Sequence, residues 1–262
     1  MRLRKLGLAL AVVALAAPAV ANGNGQSATV EQGAAGKGGK AKGGPIPFTS
    51  SATKPSGNEA PAPAGWYIDG MAAIRAQDPA KAVALMKPVL ADFEKRYGGE
   101  KRHIYCAINP AQTTAYKDDA AKANEDYITI EPDWCRAQYV RAYALIDLED
   151  LDGALIALQQ LTGLAPRNSR YLSELGYVLS AKRRYAEALA TYQRSLAAVA
   201  MSPDDAKTEK CAAYRGIGFN QARLGHIAEA ETAYRACLAI DPDNQEVKDA
   251  IEGLSDATKE TV

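Results

Sequence analysis

Between residues 171 and 192 the chain alternates apolar and polar positions with the period of an α-helix. The apolar face of the first half consists of Leu172, Leu175, Gly176 and Leu179. These positions are three or four residues apart, as on one face of a helix. After a short polar break, residues 185–192 place Ala188 and Tyr192 four residues apart on a second predicted helix. The pattern predicts two amphipathic helices joined by a tight turn.

One spacing within this pair occurs four times along the chain. A small residue is followed twelve positions later by alanine, in Gly70 and Ala82, Ala142 and Ala154, Gly176 and Ala188, and Gly218 and Ala230. Four positions beyond each alanine lies a bulky side chain, namely Met86, Leu158, Tyr192 or Tyr234. A small residue lets two helices approach closely, and the bulky residue then fills the space beside it. The spacing therefore predicts four helix pairs that pack in the same way.

The distances between these instances indicate a repeat. From Ala142 to Gly176 the offset is 34 residues, and from Gly176 to Gly218 it is 42, which is one period plus an insertion. Pro166 and Pro242 each lie 24 residues after their small residue, where a proline ends a helix and starts the next turn. A helical repeat with a period in the thirties is typical of solenoids built from helix pairs.

The last unit, residues 211–244, carries the fullest motif. It has an aromatic–apolar–glycine start, a turn glycine and a closing proline, which are Tyr214, Ile217, Gly218, Gly225 and Pro242. This pattern resembles the tetratricopeptide repeat. The resemblance is weaker in 135–168, where Gln138 and Arg141 replace apolar residues of the first helix. It extends to a diverged hairpin at 63–92, which keeps Trp66, Gly70 and Ala82.

The resemblance implies an all-α fold, a right-handed superhelical solenoid of antiparallel helix pairs. The region 133–254 would hold three repeats, at 135–168, 169–202 and 211–244, together with a capping helix. A diverged helical region at 63–132 would precede them, and a flexible tail at 255–262 would follow. Such modules usually bind other proteins and rarely perform chemistry. The alternative is a helical bundle without repeats.

The segment 93–132 departs from the repeat. Residues 102–108 break the helical pattern and are expected to be extended. Asn109 and Pro110 then predict a helix start, with the helix running to about Tyr127. Asp133 is expected to cap the following helix.

The N-terminus has the layout of a secretory signal. Within residues 1–21, a basic start precedes an apolar stretch from Leu6 to Ala17, and an A-x-A cleavage site ends at Ala21. We therefore expect export to the periplasm, with secretion or an uncleaved membrane anchor as alternatives. After cleavage no other segment is apolar enough to span a membrane. Residues 22–62 are rich in Gly, Ala, Pro and Lys and are expected to form a disordered linker.

The charge balance bears on the choice of partner. The whole chain has 31 basic and 31 acidic residues, and residues 1–21 hold three basic and no acidic ones, so the remainder carries a formal charge of −3. A mildly acidic chain without a basic stripe is a poor binder of nucleic acid. The partner is therefore expected to be a protein or peptide.

Four cysteines allow three disulfide pairings in an exported protein. Cys211 opens the first helix of the last unit and Cys237 lies near the end of the second, so an antiparallel hairpin would bring them together. That pairing leaves Cys106 with Cys135. The alternative is that Cys237 is a small buried thiol where the family usually has alanine. No pair has the C-x-x-C spacing of redox or metal sites.

Nothing in the sequence predicts catalysis, a metal or a cofactor. The two histidines belong to no triad or H-E-x-x-H motif. An enzyme would have to use the irregular 93–132 segment, where the candidate groups are His103, Tyr105, Asp118 and Asp119. They form no known catalytic arrangement.

The predicted binding surface follows from helix phase. Residues one position after each small residue point to the concave side of the superhelix, and these are Tyr143, Tyr177 and Phe219. The same face carries, three or six positions before the small residues, Arg136, Tyr139, Arg170, Ser173 and Arg215. An aromatic column flanked by arginines suits an extended peptide or an acidic segment. Alternatively, these residues only pack between helices, or the N-terminal region of the chain covers them.

The expected function is a non-catalytic periplasmic scaffold that binds a protein or peptide in the concave groove. A carbohydrate-binding envelope module, which would use the tyrosines as stacking platforms, is a second hypothesis. The enzyme based on 93–132 is a third.

Overall fold

The computed structural model describes residues 65–202 and 205–259, with side chains described only as far as Leu254. The predicted signal at 1–21 and the predicted linker at 22–62 lie outside the described residues. Pro203, in the insertion, lies outside them as well.

The described residues form ten α-helices and two short strands. The helices are α1 (Trp66–Arg75), α2 (Pro79–Tyr97), α3 (Pro110–Ala123), α4 (Asp133–Asp147), α5 (Leu151–Leu164), α6 (Ser169–Ala181), α7 (Tyr185–Ala198), α8 (Ala206–Arg223), α9 (Ile227–Leu238) and α10 (Gln245–Lys259). The strands are β1 (His103–Cys106) and β2 (Tyr127–Ile130). Helix α10 runs to Lys259, so residues 255–259 of the predicted tail are helical.

The predicted solenoid is confirmed: the fold is a right-handed superhelix of antiparallel helix pairs. Helix α1 packs with α2, α4 with α5, α6 with α7, and α8 with α9. Neighbouring pairs contact one another through α2 and α4, α5 and α6, and α7 and α8, and α10 packs on α9. Each pair thus buries its apolar faces against the next, as in a repeat array.

The small-to-bulky spacing marks the closest helix contacts. A Cβ added at Gly70 would lie 2.8 Å from Cε of Met86, and one at Gly176 would lie 2.8 Å from the ring of Tyr192. At Gly218 it would lie 2.7 Å from the ring of Tyr234. These distances leave no room for a methyl group, so each bulky side chain occupies the space that its glycine leaves open.

The insertion in the repeat spacing is accommodated before α8. A short 3-10 turn, Val199–Met201, follows α7, and α8 begins at Ala206, five residues before the predicted start of the unit. The consequence is an additional close contact: a Cβ at Gly216 would overlap the ring of Tyr192. The side chain of Tyr192 is therefore held between Gly176 of α6 and Gly216 of α8.

The irregular segment forms a β–α–β unit between α2 and α4. Strands β1 and β2 pair in parallel, with His103 opposite Tyr127 and Cys106 opposite Ile130. Helix α3 makes the crossover that parallel strands require. The extended stretch and the start of α3 after Asn109 are confirmed, since the Asn109 side chain accepts a hydrogen bond from the Gln112 backbone.

Two helix boundaries differ from the predictions. Helix α3 ends at Ala123, before the predicted Tyr127, because Asn124 takes a left-handed conformation with φ 53° and the chain then enters β2. Asp133 is the first helical residue of α4 and Pro132 stands at the cap position, so the expected cap was placed one residue late.

The β–α–β unit is anchored to the repeats by polar contacts. The Asp119 carboxylate accepts two hydrogen bonds from the Arg167 guanidinium, at 2.6 and 2.5 Å. The fully buried Gln112 side chain donates to the Arg167 carbonyl at 3.4 Å, and Asn109 Nδ2 donates to the Met201 carbonyl at 2.8 Å. These bonds join α3 to the loops before α6 and α8. The β–α–β unit therefore packs against the loops that connect successive repeats.

Both cysteine pairings expected from the sequence occur as disulfides. Cys211 and Cys237 join α8 to α9 with Cα atoms 4.5 Å apart. Cys106 and Cys135 join β1 to α4 with Cα atoms 6.2 Å apart. The second bridge ties the β–α–β unit to the first full repeat.

The turns within the four helix pairs share one backbone conformation. Seven residues after each small residue, the chain adopts positive φ, at Gln77 (59°), Glu149 (60°), Arg183 (60°) and Gly225 (85°). Only the last is glycine, the residue that adopts this region without a Cβ clash. Three of the four turns are therefore mildly strained.

Replacing Gln77 with glycine should relieve this strain and stabilise the protein by about 0.5–1 kcal/mol, measured by urea unfolding. The matched control is Gly225→Ala. A Cβ at Gly225 would meet nothing within 4 Å, so this change introduces only the unfavourable φ and should destabilise by about 1 kcal/mol. Equal unfolding midpoints for the parent and both variants would show that these turns relax at no cost.

Candidate partner-binding surface

The inner face is formed by the first helix of each pair. Helix α4 contacts α1 and α6, and α6 contacts α8, so these helices lie side by side in chain order. Tyr143, Tyr177 and Phe219 occupy the same position on α4, α6 and α8, and all three side chains are partly exposed. We refer to these three residues as the aromatic row.

Tyr139, predicted to line this surface, is buried instead, with 6% of its area exposed. Its ring packs 5.2 Å from that of Tyr171 and 6.1 Å from that of Tyr143. Burial raises the pKa of its hydroxyl well above the ordinary value. Since α4 and α6 pack closely at this level, Tyr139 supports the aromatic row from beneath and does not present a binding surface.

Ser173 also serves packing between helices. Its hydroxyl lies 2.8 Å from the hydroxyl of Ser195 on α7, which in turn donates to the Ser169 carbonyl at 2.9 Å. This chain of hydrogen bonds satisfies buried polar groups where α6 crosses α7.

The three predicted arginines are already paired with carboxylates of the chain itself. Arg170 bonds to Asp205 at 2.7 Å and lies 3.5 Å from Glu209. Arg215 donates to Glu246 of α10 at 2.6 Å. Both pairs link one inner helix to the next, so these guanidinium groups are partly neutralised before any partner arrives.

Arg136 lies at the N-terminal end of the same surface. It donates to Asp133 at 3.1 Å, and its guanidinium lies 5.7 Å from the ring centre of Tyr67 on α1. The pair is solvent-exposed and therefore contributes little to stability. Of the three arginines, Arg136 makes the weakest contacts with the rest of the chain.

Glu209 differs from the other acidic partners because it is buried, with 7% of its area exposed. Burial raises the pKa of its carboxyl above the ordinary value, and the nearby Arg170 only partly opposes this. The folded protein therefore holds the proton of this carboxyl more tightly than the unfolded chain does. The stabilisation that comes from the raised pKa of Glu209 is therefore fully present at pH values below the pKa of this carboxyl in the unfolded chain. It is lost as pH rises through the pKa of the same carboxyl in the folded protein.

We therefore expect Glu209→Gln to stabilise the protein relative to the parent near neutral pH. The difference should shrink as pH falls and vanish below about pH 3, where the parent carboxyl is protonated in both states. Urea unfolding across this pH range measures the difference. Glu246→Gln is the matched control, because Glu246 pairs with an arginine of the same face but is half exposed. A gain for Glu209→Gln that is independent of pH would contradict the assignment.

Three further residues extend the surface. Tyr67 is partly exposed on α1 and lies three positions before Gly70, the offset that relates Tyr139 to Ala142, so the sequence signal for it existed. At the other end, Tyr185 packs edge-on to Phe219 with ring centres 6.4 Å apart. Arg223 donates to the Tyr185 hydroxyl at 3.1 and 3.3 Å. Only tertiary contacts reveal these last two.

Three of the four groups considered for an enzyme, His103, Tyr105 and Asp119, make contacts within the β–α–β unit or with the repeats. His103 stacks on Tyr105 with ring centres 4.2 Å apart, and its Nε2 lies 3.3 Å from the Gly163 carbonyl. Asp119 is held by Arg167, which lowers the pKa of its carboxyl. Within the part of the chain that the structure describes, no group of three or more His, Cys, Asp or Glu side chains is arranged to hold a metal ion. In residues 65–202 and 205–259, no helix combines the length and apolar character needed to span a bilayer.

Known protein families include one whose repeats match these helix pairs. Two tetratricopeptide-repeat models match the chain, one over residues 136–168 and the other over residues 168–243. The chain contains tetratricopeptide repeats. They are the helix pairs from α4 to α9, and they include every residue of the aromatic row.

One curated relative is the Hsp70-Hsp90 organizing protein of Triticum aestivum, which is 36% identical over 96 residues. The match covers 37% of this chain and spans only 15% of the relative.

Solved structures with a similar fold have low sequence identity. A kinesin light chain of Podosopora anserina with nearly identical TPR-like repeats is 14% identical, with a TM-score of 0.48, and the match covers 78% of this chain and 98% of that one. The MamA RS-1 ArsTM double mutant is 14% identical, with a TM-score of 0.49 and coverage of 74% and 83%. The first TPR of Spaghetti (RPAP3) bound to the HSP90 peptide SRMEEVD is 16% identical, with a TM-score of 0.42 and coverage of 48% and 95%.

Proposed function

We propose that this protein is a non-catalytic interaction scaffold that holds an extended segment of a partner protein along its inner face. The observation that carries the proposal is the aromatic row, in which Tyr143, Tyr177 and Phe219 stay partly exposed at equivalent positions of three successive repeats. Solenoid repeats create extended concave surfaces of this kind. The similarity to a wheat protein named for organizing Hsp70 and Hsp90 supports the same class of function.

The contacts around the row indicate which interactions would supply the affinity. Aromatic side chains bury large apolar areas at small entropic cost and are frequent anchors of interfaces. Arg170 and Arg215 are already paired with carboxylates, so an acidic partner would have to displace Asp205 or Glu246 to reach them. We infer that the partner segment makes apolar contacts with the row, and that the arginine–carboxylate pairs border the groove.

We also propose that the scaffold acts in the periplasm. The support is the basic start, the apolar stretch and the A-x-A site within residues 1–21. Mass spectrometry of the protein recovered from cells should find a new N-terminus at Asn22. Retention of the first 21 residues would contradict export by this route.

The binding proposal is tested by capturing partners from envelope extracts with the immobilised protein and with a Tyr177→Ala/Phe219→Ala variant. Loss of two aromatic anchors should weaken capture of a specific protein by about 30-fold or more, equivalent to about 2 kcal/mol. Unchanged far-UV helicity would show that the variant is folded.

Ile156→Ala is the matched control, because Ile156 is an exposed apolar residue of α5. Helix α5 is the second helix of its pair and is not part of the inner face. This variant should capture the partner like the parent. Equal capture by the double aromatic variant would contradict the proposal. Retention on envelope polysaccharide that depends on the same tyrosines would favour the carbohydrate-binding hypothesis instead.

A further inference from the structure

The turns within the helix pairs form a continuous edge of the solenoid, which adjoins the inner face where Tyr185 packs against Phe219. Lys182, in the α6–α7 turn, donates to Asp152 at the start of α5 at 2.5 Å. Arg223, beside the α8–α9 turn, donates to Tyr185 at the start of α7. These contacts show that the α4–α5, α6–α7 and α8–α9 turns lie next to one another in chain order.

The charge along this edge is divided into an acidic and a basic part. The α4–α5 turn carries Asp147, Glu149, Asp150 and Asp152 within six residues. The neighbouring α6–α7 turn carries Lys182, Arg183 and Arg184, and Arg223 follows at the third turn. Within the described residues, neither Glu149 nor Arg183 takes part in an ion pair, and both are exposed. The edge thus offers one charge of each sign on adjacent turns.

A shallow hollow with a volume of about 300 Å³ opens beside the basic turn. Its lining consists of Arg183, Arg184, Tyr185, Ala186, Glu187 and Leu224. Two leucines on this edge are unusually exposed, Leu224 at 36% in the hollow and Leu148 at 45% at the tip of the acidic turn. The hollow therefore combines exposed apolar area with the basic group of Arg183, whereas Arg184 in its lining is already paired with Glu187. The acidic turn combines an apolar tip with carboxylates.

We propose that this edge is a self-association surface, in which the α4–α5 turn of one copy enters the hollow of a second copy. Leu148 would cover Leu224 and Tyr185, and Glu149 would approach Arg183. Because the acidic turn and the hollow lie side by side on one edge, a two-fold axis between them lets both copies make the same contact at once. The arrangement is isologous, and it pairs two charges that make no ion pair among the described residues of one copy.

The aromatic row itself takes no part in this contact, although Tyr185, which packs against Phe219 at the end of the row, lines the hollow. A dimer formed through the turn edge leaves both aromatic rows open and makes the scaffold bivalent, so two binding events on one partner assembly would reinforce each other. The inference stands on the edge charges and the hollow alone and does not depend on the proposed function.

Sedimentation velocity of the purified protein over a concentration series tests the proposal. The parent should show a reversible monomer–dimer equilibrium that weakens as salt rises, since exposed charge pairs are screened. Glu149→Arg and Arg183→Glu should each raise the dimer dissociation constant by about tenfold or more, because two symmetric attractive contacts become repulsive.

The combined variants make the test specific. The Glu149→Arg/Arg183→Glu double variant reverses both charges and should recover the affinity of the parent. An equimolar mixture of the two single variants should form a heterodimer, because every contact then pairs opposite charges.

Glu252→Arg and Lys87→Glu are matched controls on exposed positions of α10 and α2, and neither should change the equilibrium. A parent that sediments as a monomer at every concentration would overturn the proposal. So would a dimer that is indifferent to Glu149→Arg and Arg183→Glu, since its interface would lie elsewhere.

Discussion

Replacing Gly216 with alanine is expected to destabilise the protein by about 2 kcal/mol, and replacing it with leucine by more. An added Cβ would overlap the ring of Tyr192, which is buried and is held from the other side by Gly176. Overpacking of a core typically costs 1–3 kcal/mol or more, which outweighs the gain of about 1 kcal/mol from removing a helical glycine. Gly176→Leu and Gly218→Leu should each cost about 2 kcal/mol or more by the same mechanism.

Gly163→Ala separates the steric effect from helix propensity. A Cβ at Gly163, on α5, would meet nothing within 4 Å, so this change should stabilise the protein by about 0.5–1 kcal/mol. In a Gly216→Ala/Tyr192→Leu variant, the two effects should be less than additive, because the smaller side chain vacates the contested space. Urea unfolding measures all these variants, together with Tyr192→Leu alone, which the additivity test requires. Should Gly216→Ala unfold at the same urea concentration as the parent, the packing of α8 against α7 would be incorrectly assigned.

Removal of either disulfide is expected to lower the free energy of unfolding by about 3 kcal/mol. The bridged cysteines are 29 residues apart for Cys106 and Cys135 and 26 apart for Cys211 and Cys237. Closing loops of this length restricts the unfolded chain by about that amount. Alanine replaces each buried pair without leaving an unpaired polar group, so paired Cys→Ala variants measure the loss of the bridge.

The two bridges should differ in what their loss exposes. Loss of Cys106–Cys135 frees β1 from α4, so hydrogen exchange should increase first in the β–α–β unit. Loss of Cys211–Cys237 removes one link between α8 and α9, but these two helices also pack directly against each other. Unfolding curves that are identical with and without reductant would show that the cysteines are thiols, and intact mass measured under both conditions would detect this directly.

The residues of the inner face show which side-chain positions helix phase alone predicts. Position within the repeat placed Tyr143, Tyr177 and Phe219 correctly on partly exposed positions of successive helices. The same reasoning placed Tyr139 on the surface, where the structure buries it against Tyr171. Phase gives the direction of a side chain from its own helix, whereas burial depends on how closely the neighbouring helix approaches.

The charged residues show a similar limit. Helix phase assigns the arginines at 136, 170 and 215 to a partner, although each pairs with a carboxylate of the chain. The carboxylate that pairs with Arg136 is Asp133, three residues away on the same helix. The carboxylates that pair with the other two are remote in sequence. Arg170 pairs with Asp205, 35 residues away, and Arg215 with Glu246, 31 residues away. Such pairs form only when the superhelix brings successive inner helices together, so the sequence pattern within one helix does not predict them.

What the sequence by itself determined is the set of properties that arise within one repeat. The spacing of small and bulky residues specified the helix pairs and the contact of Gly176 with Tyr192, because both partners belong to the same hairpin. The hairpin geometry likewise brought Cys211 to Cys237. Contacts between repeats were decided only by the tertiary structure. The insertion before α8 sets how α8 lies relative to α7, and this placement brings Gly216 against Tyr192. The relative position of two helix pairs depends on the whole packed interface between them, and the periodicity within each pair does not specify it.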